Sequence, residues 1–215
     1  MKPHVDPLYL PADFIRSAKI LTALGVMDEL SAERVDRALL RSARHLHVSS
    51  FFLLPGLGSG LAALFTEARA AGLSTSIDPN WDPRGAWDGG LPAVLATTDV
   101  LFVNAEEARR IARLDDVDAA ARSLAARGCR VVVKCGAEGA FAVWGAEIVR
   151  AAAPPATVVD TVGAGDSFDA GFIAAVLAGR GPDDALRLAV ACGSLSTRAA
   201  GGTAAQPTLA EAEGP

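Results

Sequence analysis

The stretch TVVDTVGAGDSFDAGFIAAVLAG, residues 157–179, holds the spacing in this chain that most plainly could do chemistry. Val158 and Val159 end an apolar approach, Asp160 and Thr161 open a turn, and Gly163, Ala164 and Gly165 put little side chain in a ligand's way. Asp166 follows at once, and Phe168, Gly171, Phe172, Ala175, Val176 and Gly179 recur at helical spacing. The string predicts a strand end, a glycine turn and a helix start bearing one carboxylate. Such a turn offers unsatisfied backbone N–H groups, and the helix dipole adds partial positive charge there. An anion is favoured at that point with a candidate general base beside it, which is an arrangement for phosphoryl transfer. Asp166 would accept a proton from a substrate hydroxyl while the N–H groups hold the transferring phosphate. The competing reading is an ordinary helix start, with glycines for the turn and Asp166 at the cap.

Other strand ends carry polar groups of the same kind. Asn104-Ala-Glu-Glu107 has the spacing of a capping box, which would also orient Glu107 where it could hold a hydrated Mg2+. Gly136-Ala-Glu-Gly139, directly after VVVKC, either lets backbone approach a nucleotide or makes a turn into the next strand. Pro55-Gly-Leu-Gly-Ser-Gly60, with Asp78 downstream, mimics a dinucleotide fingerprint and keeps a NAD(P)-binding oxidoreductase among the alternatives, although Leu61 stands where the last glycine belongs. Asp78-Pro-Asn-Trp-Asp-Pro-Arg84 reads as a loop whose arginine could meet a phosphate. His45 and His47 share one face of a strand, where packing and metal ligation compete.

The elements that must position these groups alternate. Residues 1–17, with three prolines, form an irregular lead-in, and AKILTALGVM (18–27) a strand or short buried segment. Helical spacing runs over 32–43, HLHVSSFFLL from His45 reads as a strand, 61–71 as a helix, and 74–77 as a strand ending at Asp78. A helix at 91–97, a strand at 100–103 and helices at 105–113 and 117–127 follow. Then come a strand at 131–134, a hairpin of 140–144 with 147–151 about Gly145–Ala146, and helices at 167–177 and 182–198. The pattern predicts an α/β fold with a mainly parallel sheet covered on both faces, in which ligands sit beyond the carboxyl ends of the strands. Asp78, Asn104, Glu107, the 136–139 turn, Asp160 and Asp166 all fall at those ends.

The 215 residues are 51% hydrophobic and carry 20 basic against 25 acidic groups, a net charge of −5, with no basic run. Nucleic acid and an acidic membrane surface are therefore not expected partners. Cys129, Cys135 and Cys192 lack paired spacing and read as reduced thiols, and no apolar run approaches the ~18 residues of a membrane span. A cytoplasmic protein is expected.

DTVGAGDSFDAGF resembles the second signature of the PfkB, or ribokinase-like, carbohydrate kinases. NAEE, VVVKCGAEGA, IDPNWDP and ACGSLSTRAAGGTAAQP resemble further family segments in the family's order. The resemblance implies a ribokinase-like three-layer α/β/α sandwich over residues 18–207, with a tail at 208–215. It further implies an ATP-dependent kinase of a sugar or sugar acid that needs Mg2+ and forms a homodimer. It gives Asp166 the role of base and Gly163, Ala164 and Gly165 the anion hole. Asn104 and Glu107 would order Mg2+ through water, and Lys134, Gly136, Gly139 and Cys192 would fall on the nucleotide side. Asp160, Val162 and the backbone near Ala199–Gly202 would hold a monovalent cation, K+ by expectation. The family's opening strand, diglycine sugar-binding segment, first signature and β lid match nothing here. The resemblance therefore implies an N-terminally truncated fold with exposed apolar sheet edges and faces, and adds an alternative: a nucleotide-binding remnant or partial chain without catalysis.

Overall fold

The computed structural model describes residues 25–214. Six strands form one sheet in sequential order: β1 (His45–Ser49), β2 (Ser74–Asp78), β3 (Val100–Asn104), β4 (Arg130–Lys134), β5 (Ala140–Trp144) and β6 (Glu147–Ala151). β1 to β4 run parallel, and β5 and β6 add the antiparallel hairpin. The central strands read as continuous apolar runs because both of their faces are covered. Period-two alternation then divides each strand between two cores. Leu101, Val103, Val131 and Val133 face one core with α1 (Arg37–Ser42), α2 (Pro55–Ala70), α3 (Leu91–Leu95), α4 (Ala105–Ala112) and α5 (Val117–Ala125). Val100, Phe102, Val132 and Ala142 face the other with α6 (Ala164–Leu177) and α7 (Pro182–Ser196), and α8 (Leu209–Glu213) closes the described chain. Three layers result, as expected.

Several boundaries differ from the sequence reading for local reasons. Residues 32–43 are not one helix: a short 3-10 turn at Ala32–Arg34 precedes α1, which restarts because Asp36 caps it by accepting from the N–H groups of Ala38 and Leu39. The strand from His45 stops at Ser49, whose successor Ser50 is left-handed, and Phe51–Leu53 forms a 3-10 turn. α2 begins at Pro55, six residues earlier than expected, so the glycines at 56, 58 and 60 lie inside a helix and form no phosphate loop. A Cβ at Gly60 would lie 2.6 Å from the Ala32 Cβ, so close packing accounts for that glycine. No strand ends at Val159: residues 152–163 run irregularly, and Val158, Val159 and Val162 are exposed. The lead-in at 1–17 and most of AKILTALGVM lie outside the described residues, and Gly25–Glu29 forms a 3-10 turn.

The expectation of an exposed apolar sheet face is corrected. On the α6 side, β1 and β2 present His45, His47, Ser74 and Ser76. His45 bonds Ser74 at 2.6 Å through Nδ1 and Ser76 at 2.7 Å through Nε2, while His47 Nδ1 reaches Ser76 at 2.7 Å. This is the packing role for the histidines, and among the described residues no metal-ligating group forms. Burial, with His47 adjacent, drives the His45 pKa down to about 4, so the fold holds the ring neutral. An unfolded His titrates near 6.5, so His45 stabilises the fold above that pH, and its contribution is lost as pH falls toward 4. Thermal melts between pH 7 and 4 should show a steeper loss for the wild type than for His45→Asn. Parallel curves would contradict the assignment.

Candidate active site

The last residues of β2, β3 and β4 are Asp78, Asn104 and Lys134, and alternation points all three toward the α6 face. Asn104 is opposite Lys134 in the register, so the polar groups form a row along the carboxyl edge of the sheet. They open into a cavity of about 870 Å3 that also reaches Glu107, the 136–139 turn, the 163–166 turn and one face of α7.

α6 enters this cavity at its N-terminus. Gly163 sits at φ +74°, which a left-handed turn requires, and a Cβ there would strike the Gly202 backbone at 2.7 Å. Ala164 N–H donates within the turn to the Thr161 carbonyl at 3.2 Å, and Ser167 N–H closes the first helical bond to Gly163. The N–H groups of Gly163, Gly165 and Asp166 find no protein acceptor among the described residues. The available donors are thus at 163, 165 and 166, a shift from the expected 163–165. Asp166 is exposed in the first turn of α6 and its carboxylate makes no hydrogen bond among the described residues.

Asn104 and Glu107 form both halves of the capping box: Glu107 N–H donates to Asn104 Oδ1 at 2.8 Å, and Asn104 N–H to Glu107 Oε2 at 2.9 Å. Cap and cavity readings coexist, because the second Glu107 oxygen is not used by the box. Burial pushes the Glu107 carboxyl above its usual range, and the bond from Asn104 N–H only partly offsets this.

Lys134 is the single Lys or Arg on the cavity wall among the described residues, and Asp78, Glu107 and Asp166 supply carboxylates around it. Its Nζ lies 2.6 Å from Asp78 Oδ2 and 3.2 Å from Asp169 Oδ1. Gly136 borders the cavity at φ +58°. Gly139 does too, but its bare Cα faces the chain after β6: a Cβ would meet the Ala151 carbonyl oxygen at 2.0 Å. The turn into the next strand is what demands that glycine.

Three predicted residues do not reach the cavity. Cys192 packs between helices, its Sγ 2.8 Å from where a Gly171 Cβ would stand, which corrects its nucleotide-side placement. Asp160 and Val162 lie behind the turn. The Asp160 carboxylate accepts from Gly201 N–H at 2.8 Å and Val162 N–H at 3.0 Å, which hold it below the usual carboxylate range. The Thr197 carbonyl accepts from Val159 and Asp160 N–H, tying the irregular 152–163 segment to the end of α7. Sequence reasoning missed the α7 wall, Val190, Gly193, Ser194 and Thr197, although their i, i+3, i+4, i+7 spacing marks one helix face. It also missed Asp169, whose buried carboxylate is invisible without Lys134 opposite.

Comparison with known proteins bears on this arrangement. The family described as "pfkB family carbohydrate kinase" matches residues 17–209. The chain belongs to the PfkB family of carbohydrate kinases. Among curated PfkB-type relatives, the ATP-dependent ribose-1-phosphate kinase of Halopiger xanaduensis is 32% identical over 188 residues, covering 87% of this chain and 60% of the relative. Fructokinase of Klebsiella pneumoniae is 35% identical over 178 residues, 75% of this chain and 57% of the relative. A protein assigned as Ribokinase II from E. coli, crystallised with ATP and Mg2+, superposes with a TM-score of 0.76 at 28% identity, covering 86% of this chain and 62% of that one. The chain spans about three-fifths of the length of the curated relatives it matches. The three cysteines are free, and among the described residues no helix is long and apolar enough to cross a membrane.

The Gly163–Gly202 contact makes a direct prediction for this PfkB turn. Gly163→Ala combines a positive φ with a backbone clash and should cost about 1–3 kcal/mol. Urea unfolding should give that loss together with weakened Mg-ATP binding. Unchanged stability would contradict the geometry.

Proposed function

We propose that this chain carries the phosphotransfer site of an ATP-dependent kinase acting on a hydroxyl of a sugar or sugar-like substrate. One observation carries the reading: among the described residues, the Asp166 carboxylate is unengaged and stands beside the unpaired N–H groups of Gly163, Gly165 and Asp166, inside a cavity of about 870 Å3 at the carboxyl edge of the sheet. That volume suits a nucleotide. The donor set suits its phosphates, with a helix N-terminus and one ammonium, and Glu107 keeps an oxygen free of the capping box for a water-mediated Mg2+ contact.

Mg2+-bound ATP would supply an activated γ-phosphoryl group. Asp166 accepts the proton of the acceptor hydroxyl at its carboxylate, and position rather than reach serves it, since the first turn of α6 is fixed by the Gly163–Gly202 contact. The three free N–H groups donate to oxygens that gain charge as transfer proceeds, and they need not reorganise to do so. Asn104 holds Glu107 in one orientation. Gly136 and the α7 face, through Gly193 and Ser194, flank the nucleotide. Asp160 and Val162, with the backbone near Gly201, fasten the rear of the turn, and K+ bound there would reinforce that closure. Free thiols and dependence on ATP suit the cytoplasm.

Asp166→Asn should lower sugar-dependent ADP release by ~10²-fold or more while thermal stabilisation by Mg-ATP is kept. Normal turnover in that variant would overturn the base assignment. A second reading is nucleotide binding without turnover, which the cavity and its N–H donors support equally. Stabilisation by Mg-ATP with no ADP release across a panel of sugars and sugar acids selects it.

A further inference from the structure

Lys134 ends β4 facing α6, and its ammonium has three N–H donors. Asp78 takes one at 2.6 Å, and Asp169 takes another, its two oxygens at 3.2 and 3.4 Å. Asp169 lies on α6 three residues after Asp166, and at 2% exposure it has turned fully inward. A Cβ built on Gly165 would lie 3.4 Å from Lys134 Nζ, so the ammonium sits directly beneath the turn that offers the free N–H groups. A third donor remains, and Lys134 lines the cavity.

We propose that Asp169 is a positioning residue that, with Asp78, pins the Lys134 ammonium beneath Gly165 so that a fixed positive charge meets the phosphate end of a bound nucleotide. The inference rests on the nucleotide-binding reading above. Its rival is a purely structural cluster joining β2, β4 and α6. Apolar side chains would serve that purpose at least as well, because buried ion pairs generally give no more stability than well-packed apolar groups. An ammonium left at the cavity wall gains its use from a ligand. Asp169 also adds what Asp78 cannot. It rides on α6, so the cation and the N–H groups of the turn move as one body. Burial works against the ammonium, but the two carboxylates reverse this and keep Lys134 charged.

Calorimetric titration of the wild type and variants with Mg-ATP and with AMP tests the proposal, since only the first carries the β- and γ-phosphates. The wild type should prefer Mg-ATP, and Asp169→Asn should lower that preference about tenfold with little change for AMP, the scale of one charge-assisted hydrogen bond. On a Lys134→Met background, Asp169→Leu should change the preference no further. This comparison stands even where Asp169→Asn does not fold, because the Lys134 and Asp169 charges are then removed together while Asp78 keeps its bond from Asn80 N–H. A folded Asp169→Asn with the wild-type preference, an equal fall for both ligands, or a further fall on the Lys134→Met background would overturn the positioning role. A wild type that binds AMP but shows no preference for Mg-ATP would instead overturn the nucleotide-phosphate reading on which it rests.

Discussion

A buried ammonium shared by two carboxylates joins the carboxyl edge of the sheet to the helix above it, and the site is arranged around that junction. Lys134, Asp78 and Asp169 come from β4, β2 and α6, three elements remote in sequence. Removing the lysine of such a group costs roughly 3–5 kcal/mol, because it strands carboxylates away from water. The penalty makes the relative placement of these elements strongly preferred. Asp169 shows the tension directly. Burial pushes its carboxyl well above the usual range, and only the Lys134 charge draws it back. Asp78 ends below its usual range despite burial, because Lys134 and the Asn80 N–H outweigh the desolvation.

Glycines set the other constraint, by letting backbones touch. Gly163 lies against Gly202, which brings the loop after α7 behind the turn that opens α6, and Asp160 laces the same two segments through Gly201. The turn is therefore held from behind by backbone and from below by an ion cluster. The side left open is the one presenting free N–H groups. Preorganisation of this kind stabilises developing charge, since the dipoles are oriented before the ligand arrives.

Much of this was legible in the sequence where local chemistry and period coincide. The apolar runs of β3 and β4, the Gly145–Ala146 hairpin and the Asn104–Glu107 capping box depend on near neighbours and were read correctly. The failures share a cause as well. The glycines of 55–60 resemble a loop until Ala32, about 28 residues earlier in the chain, is seen to need the space beside Gly60. Val158 and Val159 look like a strand end, yet among the described residues no strand pairs with them, and the Thr197 carbonyl accepts from the Val159 and Asp160 N–H groups instead. Cys192 stands within a segment that resembles the family, but a helix has only one face toward the cavity, and residues 190, 193, 194 and 197 occupy it. Long-range partners, absent from any local window, decided each of these cases.

The row of strand-end side chains also explains why the two sides of the sheet differ in character near β1 and β2. On the α6 face, alternation places Ser74 and Ser76 in line with Asp78, and His45 and His47 beside them. Those residues satisfy one another through hydrogen bonds, so the face holds together without apolar packing even though Ser76 is fully buried. His47 marks the transition. It meets Phe102 edge-on with ring centroids 6.0 Å apart, at the border of the apolar core, and burial lowers its pKa, which the Asp78 and Asp166 carboxylates only partly offset. The flank of Asp166 nearest β1 and β2 is therefore polar and hydrogen-bonded. The opposite flank is walled by Phe168, Val190 and the glycine turns. On the proposed phosphotransfer reading, Asp166 stands between this polar side, which suits a hydroxyl-bearing acceptor, and the walled side, which suits the phosphate.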